Sequence, residues 1–195
     1  SLCAAISQIS PLAKTWAEDM GRRHGPMPVL TEVMVIRFIS HHMNENFSED
    51  CPMSEIVCPA CAAVNRVADD KPAAEAKCGK CHESLFSGHP TALTDGNFAK
   101  HVTRNSIPLV VDFWAEWCGP CKSMAPEFEK AARALEPQVR FAKLDTEAAQ
   151  QSAAMFNIRS IPTMILFHGG REVARQSGAM PAGHIIQWVR ETVKG

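Results

Sequence analysis

The chain has 195 residues, enough for one standard domain of ~150 residues and something smaller. Its 20 Lys and Arg against 21 Asp and Glu leave a net charge of -1, without the basic excess of a nucleic-acid binder. Hydrophobic residues at 46% fit a globular chain rather than a disordered one, and no apolar run approaches the ~20 residues of a membrane span.

Residues 1–52 are the least informative stretch. Gly21, Gly25, Pro26 and Pro28 break it, and Leu30, Val33, Ile36 and Met43 are compatible with a helix over 29–47. The run Val33–Ile36 suits a strand equally well. No charged segment followed by a long apolar one marks an export signal. The chain opens on Ser1, and Met53 offers an alternative start, with the upstream residues an over-extended reading frame. His24, His41 and His42 do not form a metal set, because adjacent histidines point to different faces.

Residues 53–89 are polar and carry two paired cysteines, Cys58-Pro-Ala-Cys61 and Cys78-Gly-Lys-Cys81, sixteen residues apart. That C-x2-C-x16-C-x2-C spacing is a zinc ribbon pattern, with four thiolates for one tetrahedral Zn2+. So short a segment buries little core, and a metal supplies the missing folding energy. Two extra disulfides or surplus dithiols are the alternative. His82 could substitute as a ligand, but four thiolates fill the site.

From residue 90 the pattern becomes alternating strands and helices. Thr94 or Asp95 caps a short helix through Phe98, His101 and Val102. Residues 108–115 read as a buried strand, and 120–135 as a helix that Pro126 should kink. Residues 139–144 alternate as a strand, with Val139, Phe141 and Lys143 on one face and Ala142 and Leu144 on the other. A helix is expected over 147–156, a strand over 163–167, a turn at Gly169-Gly170 and a return strand over 172–177. Residues 181–193 close with a helix, Pro181 in its first turn and Ile185, Trp188, Val189 and Val193 on its inner face. Phe113, Phe141, Phe167, Trp114 and Trp188 are assigned to the core. The fold class is α/β, a central mixed sheet with helices on both faces, preceded by the small zinc ribbon.

The third cysteine pair, Cys118-Gly119-Pro120-Cys121, lies between a strand and a helix. There a C-x-x-C reads as a redox dithiol. The helix N-terminus favours an anion, so Cys118 should be the lower-pKa nucleophile. Cys121, the more buried, should resolve the mixed disulfide. Cys3 and Cys51 remain as free thiols.

The segment Trp114-Ala-Glu-Trp-Cys-Gly-Pro-Cys-Lys122 resembles the active-site segment of thioredoxins. Residues 90–195 resemble a whole thioredoxin domain. With the ribbon, residues 53–195 are similar to the zinc-containing thioredoxin-2 branch of that family in bacteria; residues 1–52 have no counterpart there. The resemblance implies that Asp112 is a buried acid beneath the cysteines and that Lys143 neighbours it. It further implies that Ile161-Pro162 is a cis-proline loop facing the dithiol, and that Gly178-Ala179 completes a substrate groove with Trp117. Each has a physical reason. An acid inside an apolar strand is costly to ionise, which raises its pKa and suits proton transfer with Cys121. Lys143 would tune it. The backbone at Ile161 would pair with an extended substrate segment.

The function that follows is a monomeric, cytoplasmic protein-disulfide reductase. By the resemblance it draws electrons from an NADPH-dependent thioredoxin reductase and passes them to oxidised substrate proteins. No organic cofactor, nucleic acid or membrane is expected. Two alternatives stay open. One is an oxidase or isomerase of an oxidising compartment, the same fold with another poise. The other is a redox-sensing zinc switch or holdase centred on the ribbon thiolates.

Overall fold

The structure is a computed structural model and describes residues 53–194 apart from 69–71, 73 and 74. The sequence-based readings for 29–47 and for Cys3, Cys51, His24, His41 and His42 lie outside the described residues.

The ribbon opens with two antiparallel strands, β1 (Met53–Val57) and β2 (Val64–Ala68). Neither was legible from the sequence, because the five-residue strands are interrupted by the first cysteine turn. A small core of Ile56, Cys58, Cys78 and Leu85 holds the ribbon together, and Ile107 from the following α/β region packs against it. Ribbon and α/β region form one compact unit.

The α/β region is built on a five-stranded sheet in the order β3-β5-β4-β6-β7. The strands are β3 (Thr91–Leu93), β4 (Leu109–Trp114), β5 (Arg140–Asp145), β6 (Thr163–His168) and β7 (Arg171–Ser177). The first three run parallel, β6 runs antiparallel to β4, and β7 runs antiparallel to β6, giving the mixed sheet expected. Central strand β4 is apolar at every position but one because both of its faces are covered. Gly169 and Gly170 take φ of 57° and 77°, the paired left-handed conformations a tight hairpin between β6 and β7 requires.

Successive strand residues point to opposite faces, so the sheet feeds two cores. On one face Val110, Phe141, Met164 and Leu166 meet helices α2 (Gly119–Leu135) and α4 (Ala182–Lys194) through Met124, Phe128, Leu135, Ile185 and Val189. On the other, Leu109, Val111, Phe113, Leu144, Ile165 and Phe167 meet Phe98 and Val102 of α1 (Phe98–Arg104), with Ala149 beside α3 (Gln150–Met155).

Several element ends differ from expectation. Helix α1 is preceded by Asn97, not capped by Thr94 or Asp95. Asp95 instead accepts hydrogen bonds from Gln151 N–H and from the N–H and hydroxyl of Ser152, and so caps α3 across the chain. Helix α3 is shorter than 147–156, since the chain from Asp145 to Ala149 is a turn closed on the Asp145 carbonyl. Helix α2 runs through Pro126. Pro181 lies just before α4, its carbonyl accepting from His184 and Ile185. Val193 is not on the inner face: it is 45% exposed, whereas Ile185 and Val189 are buried.

Candidate active site and metal centre

The chain leaves β4 at Trp114, turns through Ala115–Trp117 and enters α2 at Gly119. Cys118 is the N-cap residue of α2, with extended backbone, and Pro120 stands in the first turn, where its missing N–H leaves no helical bond unmade. Cys118 and Cys121 are joined as a disulfide. The Cys121 N–H points at Cys118 Sγ over 3.1 Å, a sulfur counterpart of a serine cap. Both sulfurs belong to buried residues, 4% and 2% exposed, so the expected difference between them is small.

The two cysteines face different surroundings. Cys118 Sγ lies 3.8 Å from the Ile161 carbonyl oxygen. The Ile161–Pro162 peptide is cis. Beside it runs a mainly apolar groove of about 400 Å³ lined by Trp117, Thr146, Ala153, Ile158, Arg159, Ser160 and Ile161. Trp117 is 70% exposed, a large apolar surface left in water. Gly178, at φ of 96°, donates its N–H to the Pro162 carbonyl at 2.9 Å. Gly178 and Ala179 are exposed next to that loop but do not line the groove. Gly119 and Pro120 are exposed above the disulfide.

Cys121 instead opens on a second cavity of about 430 Å³, shared with Asp112, Trp114, Lys143, His89 and Glu129. Asp112 sits in mid-β4, directly across from Lys143 on β5. It is 4% exposed, and its Oδ1 has no hydrogen-bond partner. Burial raises its pKa to about 7, and the Lys143 charge pulls the other way. The Lys143 ammonium rests 5.5 Å from the centroid of the Trp114 ring. Trp114 is therefore half-buried in the cavity wall and not a core residue as the sequence suggested. Sequence reasoning also missed His89, whose Nδ1 lies 2.6 Å from Glu129 Oε1 at the same cavity. A polar residue at the ribbon's end carries no local signal that it will meet a helix 40 positions on.

In the ribbon, the four sulfurs of Cys58, Cys61, Cys78 and Cys81 lie within 4.8 Å of one another. The two pairs sit on matching turns. Cys58 N–H donates to Ala63 and Ala62 N–H back to Cys58; Cys78 N–H donates to Glu83 and His82 N–H back to Cys78. Ala62 and His82, one past each second cysteine, both take positive φ (53° and 65°). The nearest sulfurs join opposite turns, Cys58 to Cys81 and Cys61 to Cys78, each at 3.6 Å. Four ligands at ~2.3 Å from a tetrahedral Zn2+ stand about 3.8 Å apart, so the set fits that ion. Burial pushes the Cys58 thiol up, and, against the Glu83 N–H, burial with the neighbouring thiols pushes Cys81 up to about 12, whereas the Cys81 N–H pulls Cys78 down to about 6. A dication among them removes the obstacle to ionising all four.

Comparison with known proteins matches this geometry. The thioredoxin family model covers residues 89–191, and the model for the thioredoxin 2 N-terminal zinc ribbon covers 57–83. Thioredoxin C-3 of Corynebacterium nephridii is 45% identical over 139 residues, 71% of this chain and 95% of that protein. The chain belongs to the thioredoxin family. Thioredoxin of Rhodospirillum rubrum is 38% identical over 101 residues, 52% of this chain and 97% of its own. A bifunctional thioredoxin reductase/thioredoxin of Mycobacterium leprae is 40% identical over 107 residues, 55% of this chain and 23% of that protein. The thioredoxin fold, the ribbon ahead of it and a protein-disulfide oxidoreductase activity are thus established for this thioredoxin. No helix among the described residues is long and apolar enough to cross a membrane.

Proposed function

We propose that this chain is a protein-disulfide reductase working through Cys118 as nucleophile and Cys121 as resolving thiol. The observation that carries the reading is the disulfide at the N-terminus of α2, with an apolar groove beside Cys118 and an acid-lined cavity beside Cys121. In the reduced protein the unpaired N–H groups of the helix end favour a Cys118 thiolate. That thiolate attacks one sulfur of a substrate disulfide; a Cys118–substrate disulfide forms, and the other substrate sulfur leaves and takes a proton. Cys121 then gives its proton to Asp112 through water in the cavity, attacks Cys118 Sγ and releases the second substrate thiol. Two electrons pass to the substrate, and the Cys118–Cys121 disulfide closes.

An extended substrate segment lies along Ile161 and Pro162, with Trp117 covering it and Gly178-Ala179 at its end. Electrons return from an NADPH-dependent thioredoxin reductase. The Mycobacterium leprae relative, whose name joins the two activities in one chain, supports that pairing. The functional unit is residues 53–89 as a ribbon holding one Zn2+ on four thiolates and 90–195 as the thioredoxin domain, a cytoplasmic monomer, with 1–52 an extension.

Reduction of insulin by NADPH and thioredoxin reductase tests the reading. Cys118→Ser should abolish it, and Cys121→Ser should accumulate a mixed disulfide visible by intact mass. Activity that survives Cys118→Ser but is lost in Cys58→Ser would favour a zinc switch centred on the ribbon, a reading for which the half-buried Cys61 and Cys81 provide the accessible sulfurs.

A further inference from the structure

Arg140 is the largest fully buried side chain among the described residues. It belongs to β5 of the thioredoxin domain, yet its guanidinium serves the ribbon. Nη2 donates to the Leu85 carbonyl at 2.6 Å and Nη1 to the Val57 carbonyl at 3.5 Å. Its Cζ lies 4.9 Å from the centroid of the Phe86 ring. Val57 directly precedes Cys58, and Leu85 follows the second cysteine turn. The Val57 N–H is taken by Asn105 Oδ1 at 2.8 Å. Both backbone polar groups of Val57 therefore end on side chains of the thioredoxin domain.

The Arg140 charge is met by one buried acid. A buried guanidinium needs a negative partner. The Glu136 carboxylate approaches Nε at 3.3 Å, but Nε–H makes no aligned hydrogen bond. Glu136 is itself committed to the Gly88 N–H at 2.7 Å. Behind Val57 lie the ribbon thiolates. A shift of the backbone at Val57 or Leu85 is therefore a shift of the turns that carry the sulfurs, and outer-shell contacts of this kind tune how firmly a metal is held.

We infer that Arg140 is a positioning residue of the metal centre, contributed by the thioredoxin domain: it pins Val57, just before the first cysteine turn, and Leu85, just after the second. The inference rests on the zinc reading above. Its consequence is that metal retention is a property of the docked pair and not of the ribbon alone.

The test uses the full chain loaded with one equivalent of zinc and follows metal transfer to an excess of a coloured chelator. Arg140→Lys keeps the charge and loses the fork. The double variant Glu136→Gln with Arg140→Met removes both buried charges, so no orphan carboxylate unfolds the protein. Circular dichroism and insulin reduction verify the thioredoxin domain in each, and neither residue lines the redox site. Zinc should leave the double variant at least tenfold faster than wild type and Arg140→Lys at an intermediate rate. Should the double variant fail to fold, a faster release from folded Arg140→Lys supports the inference by itself, and an unchanged one overturns it. Folded variants that release zinc at the wild-type rate, beside a wild type that holds it, overturn the inference alone. A wild type that binds no zinc refutes the metal reading and this inference with it.

Discussion

Replacing Asp112 with Asn removes the one acid buried in the centre of the sheet without changing its shape. In the folded protein this carboxyl titrates at about 7 against an ordinary 3.8, first because it is buried, with Lys143 acting in the opposite direction. The sign of the effect on stability follows from which state gives up the proton first. Below the lower value both states are protonated, and the acid is neutral in each. As pH rises through the lower value the unfolded chain ionises while the folded chain does not. Folding is then increasingly penalised until the upper value is passed, and the penalty is constant beyond it. At about 1.4 kcal/mol per pH unit, the interval between the two values corresponds to about 4 kcal/mol. Asn stays neutral throughout, and the cavity leaves its amide room for water. Asp112→Asn is therefore expected to match wild type at about pH 2.5 and to exceed it by about 4 kcal/mol at about pH 8.5. Urea unfolding of the two oxidised proteins across this range measures it. A stability difference that is the same at every pH would refute the assignment of a buried, proton-holding carboxyl. The same variant should slow turnover, since the acceptor for the Cys121 proton is gone.

Lys143→Met removes the cation that favours the charged form of Asp112. The carboxyl should then titrate above about 7, and the acid limb of the pH profile for insulin reduction should move to higher pH; a profile that stays in place shows that Lys143 does not act on Asp112. Phe128 fills the core beneath α2, 2% exposed and stacked edge-on against Phe141 at 5.0 Å. Phe128→Ala should cost about 3–5 kcal/mol in denaturant unfolding. Stripping zinc with a chelator under reducing conditions should unlock the ribbon, whose buried core is only four residues and includes two of the ligands. Thermal melts should show a lower or broadened transition that returning zinc restores, and an unchanged melt would exclude a structural metal.

The α/β region was legible because its strands are continuous apolar runs and its helices show a clear inner face. Cys118, Cys121 and the four ribbon cysteines announced themselves by spacing. What stayed hidden were arrangements made between distant residues. Asp95 looked like a local cap and is a cap for a helix more than fifty residues away. Arg140 stands in a strand whose legible feature is its apolar alternation, and a lone arginine in a run buried on both sides is the available signal. Its partners Val57 and Leu85 are 83 and 55 positions distant, beyond any periodic pattern. Trp114 was assigned to the core because its neighbours are apolar, and only the register of β4 against β5 brings it under the Lys143 ammonium.

The two free edges of the sheet have a bearing on aggregation. Edge strand β3 is only three residues long. The other edge, β7, carries Arg171, Glu172 and Arg175 and meets β6 through an irregularity at Leu166/Phe167. Short, charged or bulged edges are poor templates for a foreign strand. A protein whose proposed work is to let extended chains lie against its backbone beside Ile161 thus gives them little purchase elsewhere. Within the five-stranded sheet, neither β3 nor β7 competes well with the proposed strand addition beside the disulfide.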